Sequence, residues 1–144
     1  MKSSVTRIVF GAIALLVMAA PMAMANTRSY NWEMNNRYDS GKNNGVFHQL
    51  NSGSLTHAGS IWAYSRDGGS NPSPATVTVR VYKSDAFADT LYCTKSITPS
   101  TTLGTKKNWS QGCGSVPTSS NYYLEISKVN DDGWNERGSG SLTT

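Results

Sequence analysis

The sequence predicts an all-β domain, a two-sheet antiparallel β-sandwich of jelly-roll or immunoglobulin-like type, behind a cleavable export leader. Three observations carry this. Short β-branched and aromatic runs alternate in polarity, turn formers separate them at regular spacing, and no stretch after the first 25 residues sustains an apolar period of 3.6. Seven or eight strands at this spacing suit two packed sheets, with a small barrel as the alternative.

The leader comes first. Lys2 and Arg7 supply a positive start, Ile8 to Ala20 is apolar and uncharged, Pro21 breaks the helix, and Ala23-Met24-Ala25 offers small residues for cleavage before Asn26. The apolar run is shorter than the roughly 20 residues of a spanning helix, so residues 1–25 read as a secretory signal peptide. Residues 26–144 then form one secreted domain with no transmembrane segment, extracellular or periplasmic in location.

The clearest strand is Thr76 to Lys83, where Val77, Val79 and Val81 face one way and Thr76, Thr78, Arg80 and Tyr82 the other. Tyr122 to Val129 alternates likewise, with Tyr122, Leu124 and Ile126 against Tyr123, Glu125 and Ser127. Ser54 to Ser65 reads as a long strand with Leu55, Ile61 and Ala63 on one face and Trp62 and Tyr64 on the other, Gly59 marking a bulge or a close-packing point. Shorter candidates are Tyr30 to Met34, Val46 to Leu50, Thr90 to Thr94, a segment around Trp109, and Gly140 to Thr143. Asp39-Ser40-Gly41, Asn43-Asn44-Gly45, Arg66 to Pro74, Thr98 to Gly104 and Asn130 to Gly133 are turn-rich connections.

Composition narrows the function classes. Of 13 Lys and Arg, Lys2 and Arg7 belong to the leader, so 11 basic residues face 9 acidic ones. The charges are scattered and the only adjacent basic pair is Lys106-Lys107, which argues against a nucleic-acid partner. Cys93 and Cys113 enter an oxidising compartment, where an even count favours a disulfide. It would tether the strand around Tyr92 to the loop following Trp109.

The search for catalytic chemistry yields little. His48 and His57 sit in no nucleophile elbow and read as structural, with His57 the first base to test were the protein a hydrolase. Asp131-Asp132, the only adjacent acids, are expected to face solvent from a turn, and Asn130 to Gly133 lacks the alternating spacing of a calcium loop. Two cysteines with two distant histidines make no zinc signature. No metal or other cofactor is expected, and no enzymatic activity. Asn108-Trp109-Ser110 is the single glycosylation sequon.

Aromatic excess is the informative feature: four Trp, seven Tyr and two Phe follow the leader. Trp62, Tyr64 and Tyr82 fall opposite the aliphatic residues of their strands, so in a sandwich they face outward, with Arg80 beside them. If the two strands are neighbours, the four form one ligand-binding patch for a carbohydrate, a cell-surface polymer or a protein. A one-residue slip would turn them inward. A secreted binding module is the reading this supports; an antimicrobial or toxin-like effector, an enzyme inhibitor and, behind these, a small hydrolase are the alternatives.

Overall fold

Val77, Val79 and Val81 are fully buried while Thr78, Arg80 and Tyr82 are half-buried, so the period-2 pattern of this segment is met as a strand with one face on the core. In the computed structural model, which describes residues 25–144, nine strands and one short helix follow in order. They are β1 (Thr27–Met34), β2 (Tyr38–Ser40), α1 (Gly41–Asn44), β3 (His48–Leu50), β4 (Gly53–Arg66), β5 (Val77–Lys83), β6 (Thr90–Ile97), β7 (Lys107–Val116), β8 (Ser119–Lys128) and β9 (Trp134–Thr143). Of the leader read in residues 1–25, all but Ala25 lies outside the described residues. Among the described residues, no helix is long and apolar enough to cross a membrane.

The first sheet has the order β1-β9-β4-β7, and the second β2-β8-β5-β6, with β3 following β2 along the same edge of β8. Every pairing is antiparallel. Taking β2 and β3 as one interrupted edge strand leaves eight strands that alternate between sheets in the jelly-roll manner except at the β5–β6 hairpin, which stays within the second sheet. Tyr30, Trp32, Met34, Leu55, Ile61, Trp109 and Leu142 fill the core from the first sheet. Leu50, the three valines, Tyr122, Leu124 and Ile126 meet them from the second.

Two strands depart from their expected form. β9 begins at Trp134, six residues before the expected Gly140, because its inward row of Trp134, Glu136, Gly138, Gly140 and Leu142 carries almost no apolar alternation. β2 and α1 replace turns expected at Asp39 to Gly45. Gly59 is a close-packing point and not a bulge: a methyl group there would lie 2.6 Å from the Trp109 ring and 2.7 Å from the Tyr30 hydroxyl. Gly140, its register partner on β9, is crowded in the same way by the Tyr30 hydroxyl and the Ala58 carbonyl. The bulges of β4 fall instead between Ser54 and Thr56 and between Ala63 and Ser65.

Cys93 and Cys113 are bonded, with Cα atoms 5.1 Å apart. Cys113 lies inside β7 and not in a loop after Trp109, so the bridge joins β6 and β7, the edge strands of opposite sheets. Closing a loop of 20 residues removes unfolded-chain entropy worth up to about 3 kcal/mol. The double Cys→Ser variant is expected to lose about 2 to 3 kcal/mol, read from the midpoint of urea unfolding at unchanged slope.

Candidate functional site

Alternation along β4 turns Leu55, His57, Ile61 and Ala63 inward and sends Trp62 and Tyr64 to the outer face of the first sheet. Register then decides their neighbours. Trp62 pairs with Arg137 of β9, and Arg137 pairs with Glu33 of β1. The Arg137 Nε donates to Glu33 Oε2 at 2.8 Å, the Tyr64 hydroxyl donates to Glu33 Oε1 at 2.7 Å, and the guanidinium carbon lies 4.0 Å from the centre of the Tyr64 ring. Hydrogen bonding from Arg137, and next from Tyr64, holds the Glu33 carboxyl below the usual range. Loss of hydration, reinforced by Glu33, pushes the Tyr64 phenol up. The ionic groups of this corner are thereby mutually fixed.

Beside them lies a hollow of about 350 Å³, lined by Asn31, Trp32, Glu33, Trp62, Arg137, Gly138 and Ser139. The Lys106 ammonium sits 4.7 Å from the centre of the Trp62 ring. From the edge of the hollow onward the outer face carries short, mostly polar side chains in register rows. Asn31, Ser139, Ser60 and Asn108 form one, and Ser29, Ser141, Ala58 and Ser110 the next. The hydroxyls of Ser60 and Ser139 are 3.3 Å apart. One apolar ring, one fixed ion pair and a field of hydroxyl and amide groups can hold a molecule that is itself part ring face and part hydroxyl.

Arg80 and Tyr82 are elsewhere. Segment 67–76 carries the chain from β4 in the first sheet to β5 in the second, so the two strands are not neighbours and the expected four-residue patch divides into two pairs on opposite outer faces. Arg80 Nη1 donates to Glu125 Oε1 at 2.9 Å and to Ser127 Oγ at 3.0 Å, so this nitrogen is engaged within the second sheet. Tyr82 stacks on Tyr123 with centroids 5.5 Å apart and planes 15° from parallel.

Both histidines lie in the interior. His57 is fully buried, its Nε2 is 2.8 Å from the Tyr30 hydroxyl, and burial pushes its imidazole down to about 4. His48 is also buried, and loss of hydration, with Arg28 second, lowers it too. Neither borders the hollow beside Trp62. Asp132, expected to face solvent, is buried with its carboxylate on Lys128, whereas Asp131 is exposed. The turn reading failed here because two neighbours in a turn need not share a direction, and only one of the pair points back into the molecule. Among the described residues, no three His, Cys, Asp or Glu side chains are placed to hold a metal ion.

No family model matches the chain, and no curated protein matches it. Among solved structures it is similar to one of infectious bursal disease virus Gt strain, at 15% identity and a TM-score of 0.43, over 93% of this chain. The chain spans 36% of the length of that protein. It is also similar to turnip yellow mosaic virus at 14% identity and a TM-score of 0.32, over 96% of this chain and 89% of the other.

Sequence reasoning found Trp62 and Tyr64 through alternation but missed Glu33, Asn31, Arg137 and Ser139, which complete the corner. Glu33 and Asn31 do alternate with Tyr30, Trp32 and Met34, and that signal marks them as outward. Nothing local in the sequence places β9 between β1 and β4.

Proposed function

We propose that the chain is an exported, non-enzymatic binding module that takes a glycan of a cell-surface or extracellular polymer in the hollow beside Trp62. The observation that carries this reading is an indole wall set beside outward hydroxyl and amide side chains on one sheet face. A sugar ring offers an apolar face to the indole and hydroxyls to Asn31, Ser139 and the Glu33–Arg137 pair. Glu33 and Arg137 neutralise one another, while the Lys106 ammonium on Trp62 has no carboxylate beside it among the described residues, so the reading favours neutral or anionic sugars over cationic ones. The leader would deliver the domain to where such polymers are met.

The test is a glycan array with protein expressed from the full sequence, followed by calorimetry on the best ligand. Trp62→Ala is expected to lose about 2 kcal/mol of binding free energy, the scale of an interface hot spot, with an unchanged unfolding midpoint. A variant that binds as the parent does removes Trp62 from the site. One that unfolds early but binds normally when folded makes Trp62 a packing residue.

A further inference from the structure

The other end of the molecule carries an apolar tip that the glycan reading does not use. Between β5 and β6 the chain runs Ser84-Asp85-Ala86-Phe87-Ala88-Asp89, and Ala86, Phe87 and Ala88 are exposed, Phe87 completely so at 103%. The stem of this loop is tied down. Asp85 pairs with Lys83 and accepts from the Thr90 hydroxyl at 2.8 Å. Asp89 accepts from Lys42 Nζ at 2.7 and 2.9 Å and from the Tyr123 hydroxyl at 2.6 Å. Both carboxylates are drawn back onto the body, and what the loop presents is Ala-Phe-Ala.

Behind the tip runs an aromatic row. Leu91 of β6 pairs with Tyr82 of β5, Tyr82 stacks on Tyr123 of β8, and Phe47 meets Tyr123 edge-on at 6.1 Å. Leu91 and Phe47, at its two ends, are 49% and 43% exposed. Apolar side chains gathered this way on a soluble surface mark a contact with something apolar.

We propose that this tip docks on a lipid bilayer surface, with Phe87 entering the acyl boundary and Leu91, Tyr82 and Phe47, packed over the buried Tyr123, at headgroup depth. Shape favours lipid over a folded partner: the apolar group is a convex point, which a fluid medium accommodates and a protein surface accepts only with a matching socket. Chemistry agrees, since tyrosine is suited to the zone where apolar and wet surroundings meet. Charge selects the lipid. Lys83 with Asp85 and Lys42 with Asp89 cancel locally, so the tip has no net charge to bring to an anionic membrane and fits a zwitterionic one.

The experiment is co-sedimentation of protein expressed from the full sequence with phosphatidylcholine vesicles. Phe87→Ser and Leu91→Ser are measured alongside, so that any retained leader contributes equally to all samples. The expected result is binding that is unchanged between low and high salt, weakened roughly tenfold or more by Phe87→Ser and less by Leu91→Ser, at unaltered unfolding midpoints. Trp62→Ala should bind vesicles normally. Equal sedimentation of parent and Phe87→Ser overturns the proposal, as does binding confined to anionic vesicles and lost in salt. Self-association of the parent abolished by Phe87→Ser, without vesicle binding, also overturns it by assigning the tip to a second copy of the chain.

Discussion

Replacing Lys128 with methionine is expected to lower the unfolding free energy by about 3 to 5 kcal/mol, a large fraction of what a small domain possesses. Lys128 closes β8, and its ammonium is wholly enclosed. It donates to Asp132 Oδ1 at 2.5 Å, to the Trp134 carbonyl at 2.5 Å, and to both Glu136 oxygens at 3.0 and 3.3 Å. Asp132 also accepts from the backbone N–H of Ala75 at 2.5 Å and of Trp134 at 3.1 Å. The same connection is sewn to segment 67–76 by Asn71 N–H to the Asp132 carbonyl and by the Trp134 indole to the Asn71 carbonyl. Methionine fills the space but leaves the Asp132 carboxylate, and Glu136 whenever it is ionised, without a cation in a site water does not reach. Urea unfolding of Lys128→Met measures the loss. Adding Asp132→Asn and Glu136→Gln to it should recover part of the stability, since removing a whole buried ionic cluster is far less costly than removing one member. A loss below about 1 kcal/mol for Lys128→Met would mean the cluster is hydrated and its charges independent.

This cluster also shows what the sequence conceals. The alternation Tyr122, Leu124, Ile126 continues in phase to Lys128, so the position is legible as inward, but its lysine argues the other way, because its partners Asp132 and Glu136 lie beyond a turn. Strand existence was readable wherever valine, isoleucine or leucine marked the inner row, as in β5 and β8. In β9 only the end from Gly140 to Thr143 was readable, because the inner row before it holds Glu136 and Gly138, which matter only once Lys128 and the Trp32 ring are opposite. The largest loss concerned the site. Alternation assigns Trp62, Tyr64, Arg80 and Tyr82 correctly to outer faces, but which sheet each strand joins depends on segment 67–76 crossing the sandwich, and no residue-level period records that.

Between pH 6.5 and 4.5 the parent protein is expected to show only a shallow fall in stability, because His57 and Glu136 oppose each other and His48, also lowered by burial, is left unopposed. Burial drives His57 from an unfolded value of 6.5 to about 4. As pH falls through this window the unfolded chain takes up the proton first, and stability is lost. Burial drives Glu136 from 4.5 to about 7, with Lys128 only partly pulling it back. A lone lysine cation cannot neutralise two enclosed carboxylates, so one of them retains its proton. Here the folded protein binds the proton first, and stability is gained as pH falls from 7 to 4.5. Each shift spans roughly two and a half units and is worth about 3 kcal/mol in full, so the slopes cancel over the range they share. Asp85, Asp89 and Asp132 stand clear of it: all three are lowered from 3.8, and their contributions are lost only at more acid pH. Single substitutions should unmask the two halves. Glu136→Gln is expected to lose about 3 kcal/mol on acidification from pH 6.5 to 4, with His48, also lowered by burial, acting in the same sense. His57→Gln, which keeps an acceptor for the Tyr30 hydroxyl, should instead gain stability as pH falls from 7 to 4.5. Urea midpoints across this range give both slopes. If the parent already falls steeply and Glu136→Gln falls no faster, Glu136 is ionised throughout the window, and Lys128 carries both carboxylates as a net negative buried triad.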